Sequence, residues 1–343
     1  MSYRLSILDK SPLAEGEHAE RALQRTLALA RQAESWGYHR FWLAEHHNSP
    51  RLASPAPEVL IPWLLAHTTH IRIGSGGVML QHYSAYKVAE SFNLLANLAP
   101  GRVDLGVGKA PGGLPLASRA LQRGVDPALR GNFAEQLAEL DTWLSAASPA
   151  TEDNDTLLAT PLPRIPAQRF LLGASEESAR LAARLGWHFV FAAHLNGDRS
   201  ALQRIRALWR TLNSTGQFIV AVQAIVAASS QQAQALTRPE PLWRVELENG
   251  QHVTVLTQEQ ADTFARQAES PVRRIEPREP SLLKGTAAQV HAELTALHQA
   301  FGIDEFIIDT PIEDGQARLT SLQLLAEYAR PTAGTDLLTE EAS

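Results

Sequence analysis

Four short stretches of this 343-residue chain gather the groups that could do chemistry. The first, Glu45-His46-His47-Asn48, follows the apolar run Arg40–Leu43. It supplies imidazoles, whose ordinary pKa near neutrality suits general acid–base work. His46 is the candidate proton-handling group and Glu45 its neighbour. The alternatives are a histidine bonded to backbone at a strand end and a glutamate paired with a nearby arginine. Adjacent side chains on an extended segment point to opposite sides, so His46 and His47 do not readily share a metal ion, and no His-Glu-x-x-His spacing completes a metal set.

The second stretch, Gly74-Ser75-Gly76-Gly77, removes nearly every side chain from a strand end, which either lets a flat ring approach the main chain or marks a bulge. The third, Gly106-Val107-Gly108-Lys109, ends in a cation. The fourth, Gly173-Ala174-Ser175-Glu176-Glu177-Ser178, opens an alanine-rich helical segment. Unpaired N–H groups of a first helical turn, with the Ser175 and Ser178 hydroxyls, suit a phosphate monoester; the same residues also make an ordinary N-cap. Lys109 would neutralise that phosphate, with Arg119, Arg123 and Arg130 either assisting or solvated.

These stretches share one position in the pattern of elements: each ends a short β-prone run. Such runs recur at Tyr3–Leu8, Arg40–Leu43, Ile71–Ile73 continuing towards Val78–Leu80, Val103–Val107, Arg169–Leu172, His188–Ala192, Phe218–Ala227 and Glu305–Asp309. Segments of helical period separate them, such as Ala19, Ala22, Leu23, Thr26, Leu27 and Ala30, or Val88, Phe92, Leu95 and Ala99. Strand alternating with helix implies a parallel sheet, and eight strands point to a closed (β/α)8 TIM barrel ahead of a doubly wound open sheet. Asp9, His194 and Asp309 would join the four stretches at the carboxyl-end mouth, where barrel chemistry sits.

The expected organisation is a single domain over 1–330 and a flexible, acidic tail over 331–343. The polar stretch 229–280, between the seventh and eighth strands, is too long for an ordinary connection. It reads as a lid or insertion, or as a mobile surface loop.

Composition narrows the partners. A net charge of −6, from 31 Lys+Arg against 37 Asp+Glu, gives no basis for binding nucleic acid or an anionic membrane. The chain has no cysteine, which removes disulfides and thiolate chemistry and leaves redox work to a borrowed cofactor. With no leader and no long apolar run, a cytoplasmic location is expected.

Three blocks carry a resemblance that spans nearly the whole chain: Gly37 to Asn48, Ile73 to Leu80 and Pro100 to Gly112. In this order and spacing they resemble the bacterial luciferase-like flavin monooxygenases, closest to the single-chain subgroup. The resemblance implies a barrel enzyme that takes reduced FMN from a separate flavin reductase, reacts it with O₂ and passes one oxygen atom to a small organic substrate. It implies that His46 is the catalytic histidine and that Glu45 lines the ring. Gly76 and Gly77 would be joined by a non-proline cis peptide beneath the isoalloxazine. Gly108, Lys109, Gly173, Ala174, Ser175 and Ser178 would hold the cofactor, and family habit implies a homodimer.

Two departures stand out: Lys109 where relatives usually carry arginine, and Gly112-Gly113 where close relatives have a polar pair. A deazaflavin-dependent hydride-transfer enzyme and a non-catalytic flavin-binding protein are the competing readings. The substrate is not legible, although Trp42, Tyr83, Phe191 and His194 suggest a partly aromatic cavity.

Overall fold

The computed structural model describes residues 2–147, 155–193, 199–212, 214–250 and 252–329. His194 and the 331–343 tail lie outside the described residues. In chain order the elements begin with β1 (Arg4–Asp9), α1 (Ala19–Ser35), β2 (Arg40–Leu43), α2 (Pro57–Ala66), β3 (Arg72–Ser75), β4 (Val78–Met79), α3 (Ala85–Leu98), β5 (Val103–Gly108), α4 (Pro115–Leu121), α5 (Pro127–Arg130), α6 (Phe133–Ser145), β6 (Gln168–Gly173), α7 (Glu176–Leu185) and β7 (His188–Ala192). They continue with α8 (Arg199–Thr211), β8 (Phe218–Val226), α9 (Ser230–Ala235), β9 (Leu242–Leu247), β10 (His252–Val255), α10 (Gln258–Gln267), β11 (Val272–Arg278), β12 (Leu282–Gly285), α11 (Ala287–Phe301), β13 (Glu305–Asp309) and α12 (Gly315–Ala329).

The expected closed barrel is what forms. Parallel pairings run β1, β2, β3, β5, β6, β7, β8, β13 and back to β1, so the ring has no open edge. Each expected strand supplies one stave. The third is interrupted after Ser75 and resumes as β4, which pairs with β5 instead of β3.

Alternation along each stave sorts side chains to two sides of the barrel wall. Leu5 and Ile7 of β1, Leu105 and Val107 of β5, and Phe189 and Phe191 of β7 pack outward in the main core, beneath the helices. The other face points into the barrel, where Leu8, Trp42, Ala44, Phe170, Val190, Ile219, Ala221 and Ile307 form a separate apolar cluster. Phe191 therefore lies on the helix side of the wall and does not line the mouth. Helix α1 meets the wall through Ala22, Thr26, Leu29, Ala30 and Ala33, the three-and-four spacing of one helical face. That face is centred one position past the expected stripe, since Ala19 is exposed.

Below the apolar layer, at the amino ends of the strands, the interior is ionic. Arg40 donates to Glu305 at 2.6 Å and to Asp104 at 2.7 Å, while Arg72 and the Trp42 indole also donate to Asp104. Ser6 adds a donor to Glu305, and Phe170 lies 4.8 Å from the Arg40 guanidinium carbon. Arg40, Asp104 and Glu305 are buried, so their charges are matched within the protein.

The stretch between β8 and β13 is a small folded unit. Strands β10, β9 and β11 form an antiparallel sheet on which α10 packs, burying Val245, Leu247, Ala261 and Phe264. At about 1.5–3 kcal/mol for each fully buried large apolar side chain, this cluster is the main packing within the unit. Its neighbour is the chain after β5. Leu114 inserts into the same cluster, and Arg119 donates to the Gln267 carbonyl at 2.9 Å.

Candidate active site

The carboxyl-end rim brings the sequence-derived residues together through strand pairing. Met79 of β4 is in register with Gly108 of β5, and Gly108 with Leu172 of β6. Residues 76–79, 108–109 and 173–175 therefore share one side of the mouth. The Gly76–Gly77 peptide is cis, as the resemblance implied. Neither glycine has room for a side chain: a Cβ at Gly76 would lie 2.7 Å from Leu8 Cδ1, and one at Gly77 2.8 Å from the Gly106 carbonyl oxygen. The main chain itself is thus the surface offered there.

Ser175 caps α7, accepting from the Ser178 N–H at 3.2 Å, and its hydroxyl lies 3.0 Å from that of Ser178. The capping alternative is realised, and it leaves the hydroxyl pair at the positive end of a ten-residue helix. Gly173 is needed beneath it, because a Cβ would sit 2.7 Å from Ser178 Oγ. Ala174 links the strand to the cap. Lys109 is exposed at the end of the adjacent stave. Arg119 and Arg130 do not join it: the first holds the insertion, and the second donates to the Gln81 carbonyl.

Glu45 is fully buried, and both oxygens of its carboxylate are hydrogen-bonded. Oε1 accepts from His47 Nε2 at 2.7 Å and the Tyr83 hydroxyl at 2.8 Å, while Oε2 accepts from the Met79 N–H at 3.0 Å. Its partners are thus a histidine and a tyrosine, not the arginine weighed from sequence. Burial, then the Glu45 charge, pushes the Tyr83 hydroxyl above its ordinary pKa, so it remains a donor. Burial likewise raises Glu58 nearby.

His46 is half-buried, and its backbone N–H donates to the Ser54 carbonyl at 3.0 Å. It stands two residues after Ala44, whose side chain joins the interior cluster. His47 is pinned from the other side as well. Its backbone N–H donates to the Gly112 carbonyl at 2.7 Å, and a Cβ on Gly113 would lie 2.8 Å from the His47 carbonyl oxygen. The two glycines after Pro111 therefore let the β5–α4 loop close onto the Glu-His-His segment. His82 completes this side: Nε2 donates to the Pro111 carbonyl at 2.8 Å, leaving Nδ1 to accept from Gln122 at 3.0 Å. Burial lowers its pKa, in keeping with a neutral ring.

A family model for luciferase-like monooxygenases matches residues 3–305. The chain belongs to the luciferase-like monooxygenase family. It is 42% identical over 327 residues to an N-acetyl-S-alkylcysteine monooxygenase of Bacillus subtilis (strain 168), covering 94% of this chain and 97% of that protein. Among solved structures it is similar to apo-MsnO8, with a TM-score of 0.74 and 30% identity over 95% of this chain and 97% of that one. The oxygenating constituent of 3,6-diketocamphane monooxygenase from Pseudomonas putida, in complex with FMN, shares the fold with a TM-score of 0.69. Its identity is 18%, over 97% of this chain and 99% of that one.

For a luciferase-like monooxygenase the rim fits a phosphorylated, flat cofactor. The glycine pair presents bare backbone, the α7 terminus presents amides and hydroxyls, and Lys109 presents charge beside them. Sequence reasoning did not single out the part played by His47, His82 and Tyr83. His47 was visible in the Glu-His-His run, but the Tyr83 bond spans 38 positions and has no local signal. Trp42, weighed as a cavity aromatic, donates into the ionic layer instead.

Proposed function

We propose that this protein is an FMN-dependent monooxygenase. The net reaction is reduced FMN plus O₂ plus a small organic substrate, giving oxidised FMN, the mono-oxygenated substrate and water. The observation that carries the reading is the register of β4, β5 and β6, which supports one continuous cofactor seat from Gly76-Gly77 through Gly108-Lys109 to Ser175. In this reading Lys109, Ser175, Ser178 and the first amides of α7 hold the phosphate, with Gly173 and Ala174 forming the turn. Gly76, Gly77 and Gly108 would give the ring a surface of bare main chain to rest on. Bound FMN supplies the electrons that activate oxygen.

The chain's own residues then do the rest. His46 holds or delivers a proton at the ring edge. Glu45 acts through others: it ties His47, Tyr83 and the Met79 amide together, so the histidine segment and the glycine pair keep a common spacing. The insertion, braced on Leu114, shields the mouth from water as a lid.

A separate reductase supplies reduced FMN. The name of the relative at 42% identity makes N-acyl cysteine thioethers the first substrates to screen. The proposal includes a homodimer. It is supported by exposed apolar side chains on two outer helices: α2, apolar apart from Glu58, leaves Val59 65% exposed, and α3 leaves Leu98 64% exposed.

The test is to mix the protein anaerobically with photoreduced FMN, admit oxygen, and follow flavin reoxidation, oxygen uptake and oxygenated product together. His46→Ala should keep FMN binding and lose turnover by about 10²–10⁴-fold. Unchanged turnover would remove the role given to His46. Product formed without oxygen uptake from a reduced deazaflavin would replace the reading with hydride transfer. Binding without any turnover would favour a flavin-binding protein.

A further inference from the structure

The wall of the mouth across from the phosphate cradle carries polar groups that the flavin reading leaves unused. In the ring of eight staves, β13 and β1 lie opposite β5 and β6. Asp309 ends β13, and Gln223 of β8 is in register with it. Each stands two residues after an interior apolar side chain, Ile307 or Ala221, so strand alternation turns both into the barrel one level above the apolar layer. Lys10, directly after β1, places Nζ 2.7 Å from Asp309 Oδ2, and Gln223 Nε2 donates to the same oxygen at 3.0 Å. Asp309 is nearly inaccessible, whereas the Lys10 side chain is 26% exposed.

The spacing of this group is held from behind. Arg318 of α12, itself buried, lies 3.0 Å from Asp9 Oδ1 and donates to the Thr310 carbonyl at 3.3 Å. One guanidinium thus ties together the neighbours of Lys10 and Asp309. Asp9, expected among the mouth residues, is committed to this bracing: it also accepts from the Ser11 N–H, where the chain turns at φ +49°.

A lysine ammonium has three donors, of which Asp309 engages one, and Gln223 has its amide nitrogen engaged but offers its carbonyl oxygen. A cation and an amide acceptor beside one carboxylate match a ligand that carries its own carboxylate next to an amide N–H. We propose that Lys10 and Gln223 are specificity-determining residues of the substrate pocket. Lys10 takes the carboxylate, and Gln223 the amide N–H, of an N-acylated, S-substituted amino acid. The S-substituted part of this class rests on the functional reading above; the carboxylate part rests on the geometry alone.

The test is calorimetric titration of N-acetyl-S-methylcysteine and of its methyl ester, into protein saturated with oxidised FMN and into flavin-free protein. The acid is expected to bind about 10- to 100-fold more tightly than the ester. That preference should vanish in Lys10→Gln and survive in Lys10→Arg, which keeps the charge. Equal binding of acid and ester, no binding of either, or a preference that persists in folded Lys10→Gln overturns the proposal. Should Lys10→Gln not fold, the acid–ester comparison on the unaltered protein decides. Failure of FMN to bind would overturn the flavin reading and leave the flavin-free comparison standing.

Discussion

The two ends of the barrel interior are built from the same kinds of residue to opposite effect. At the amino end, Arg40, Arg72, Asp104, Glu305, Ser6 and the Trp42 indole bond to one another within a buried layer. At the carboxyl end, Lys10, Lys109, Ser175 and Gln223 keep donors or acceptors open, beside glycines that present bare main chain. Charge alone therefore does not mark the site. A buried group whose bonding capacity is used up stabilises the fold, whereas a group held by one partner with capacity to spare is poised for a ligand. The apolar layer of Trp42, Phe170, Val190 and Ile307 separates the two.

The strongest way to break this contrast is Arg40→Leu, which strands Asp104 and Glu305 without their shared cation. It should cost about 3–5 kcal/mol in urea unfolding, and a loss under about 1 kcal/mol would mean that the lower layer is not a matched network. Gly77→Ala comes next, because its Cβ would meet the Gly106 carbonyl oxygen at 2.8 Å. Overpacking there should cost about 1–3 kcal/mol and weaken FMN binding in the same variant, measured by thermal melting and flavin fluorescence.

Lys109→Ala should do the reverse of Arg40→Leu. Stability is expected to change by no more than about 0.5 kcal/mol, while FMN affinity falls about tenfold, and equal affinity would remove Lys109 from the cradle. Lys109→Arg, which restores a planar fork, should bind FMN at least as well as the unaltered protein.

The smallest effect concerns pH at the amino end. Burial, then the Arg40 charge, lowers His39 to about 4. The unfolded chain therefore takes up the proton first. Stability from this group is complete above about pH 6.5 and is lost as pH falls towards 4. Glu34 acts in a lower window. Burial raises its pKa, but the N–H groups of His70, Ile71 and Thr69 outweigh this and hold it at about 2. Its contribution is complete above about pH 4.5 and fades below. Urea midpoints between pH 7 and 4 should decline, and His39→Gln should flatten the decline.

Much of this was legible in the residues. The eight staves announced themselves because a wall buried on both sides writes near-continuous apolar runs, as in Arg40–Leu43 and Val103–Gly108. The insertion was harder. Its strands are short, and its helix buries only Ala261 and Phe264, so a mostly polar stretch hid a folded unit. Glu45 could be picked out by type, but its partners could not, since Tyr83 reaches it only once β3 and β4 have been laid beside β2.

What the sequence determined by itself is local: the period of each element, the Ser175 cap, the glycine runs at strand ends and the order of those ends along the chain. These depend on neighbours a few residues apart, and the chain states them directly. Only the closed ring decided which ends meet. It put the ends of β5 and β6 side by side, set Lys10 against Asp309 across 299 positions, and turned Arg40 and Trp42 into a matched layer instead of a pocket. Such pairings follow from barrel closure, which no single segment encodes.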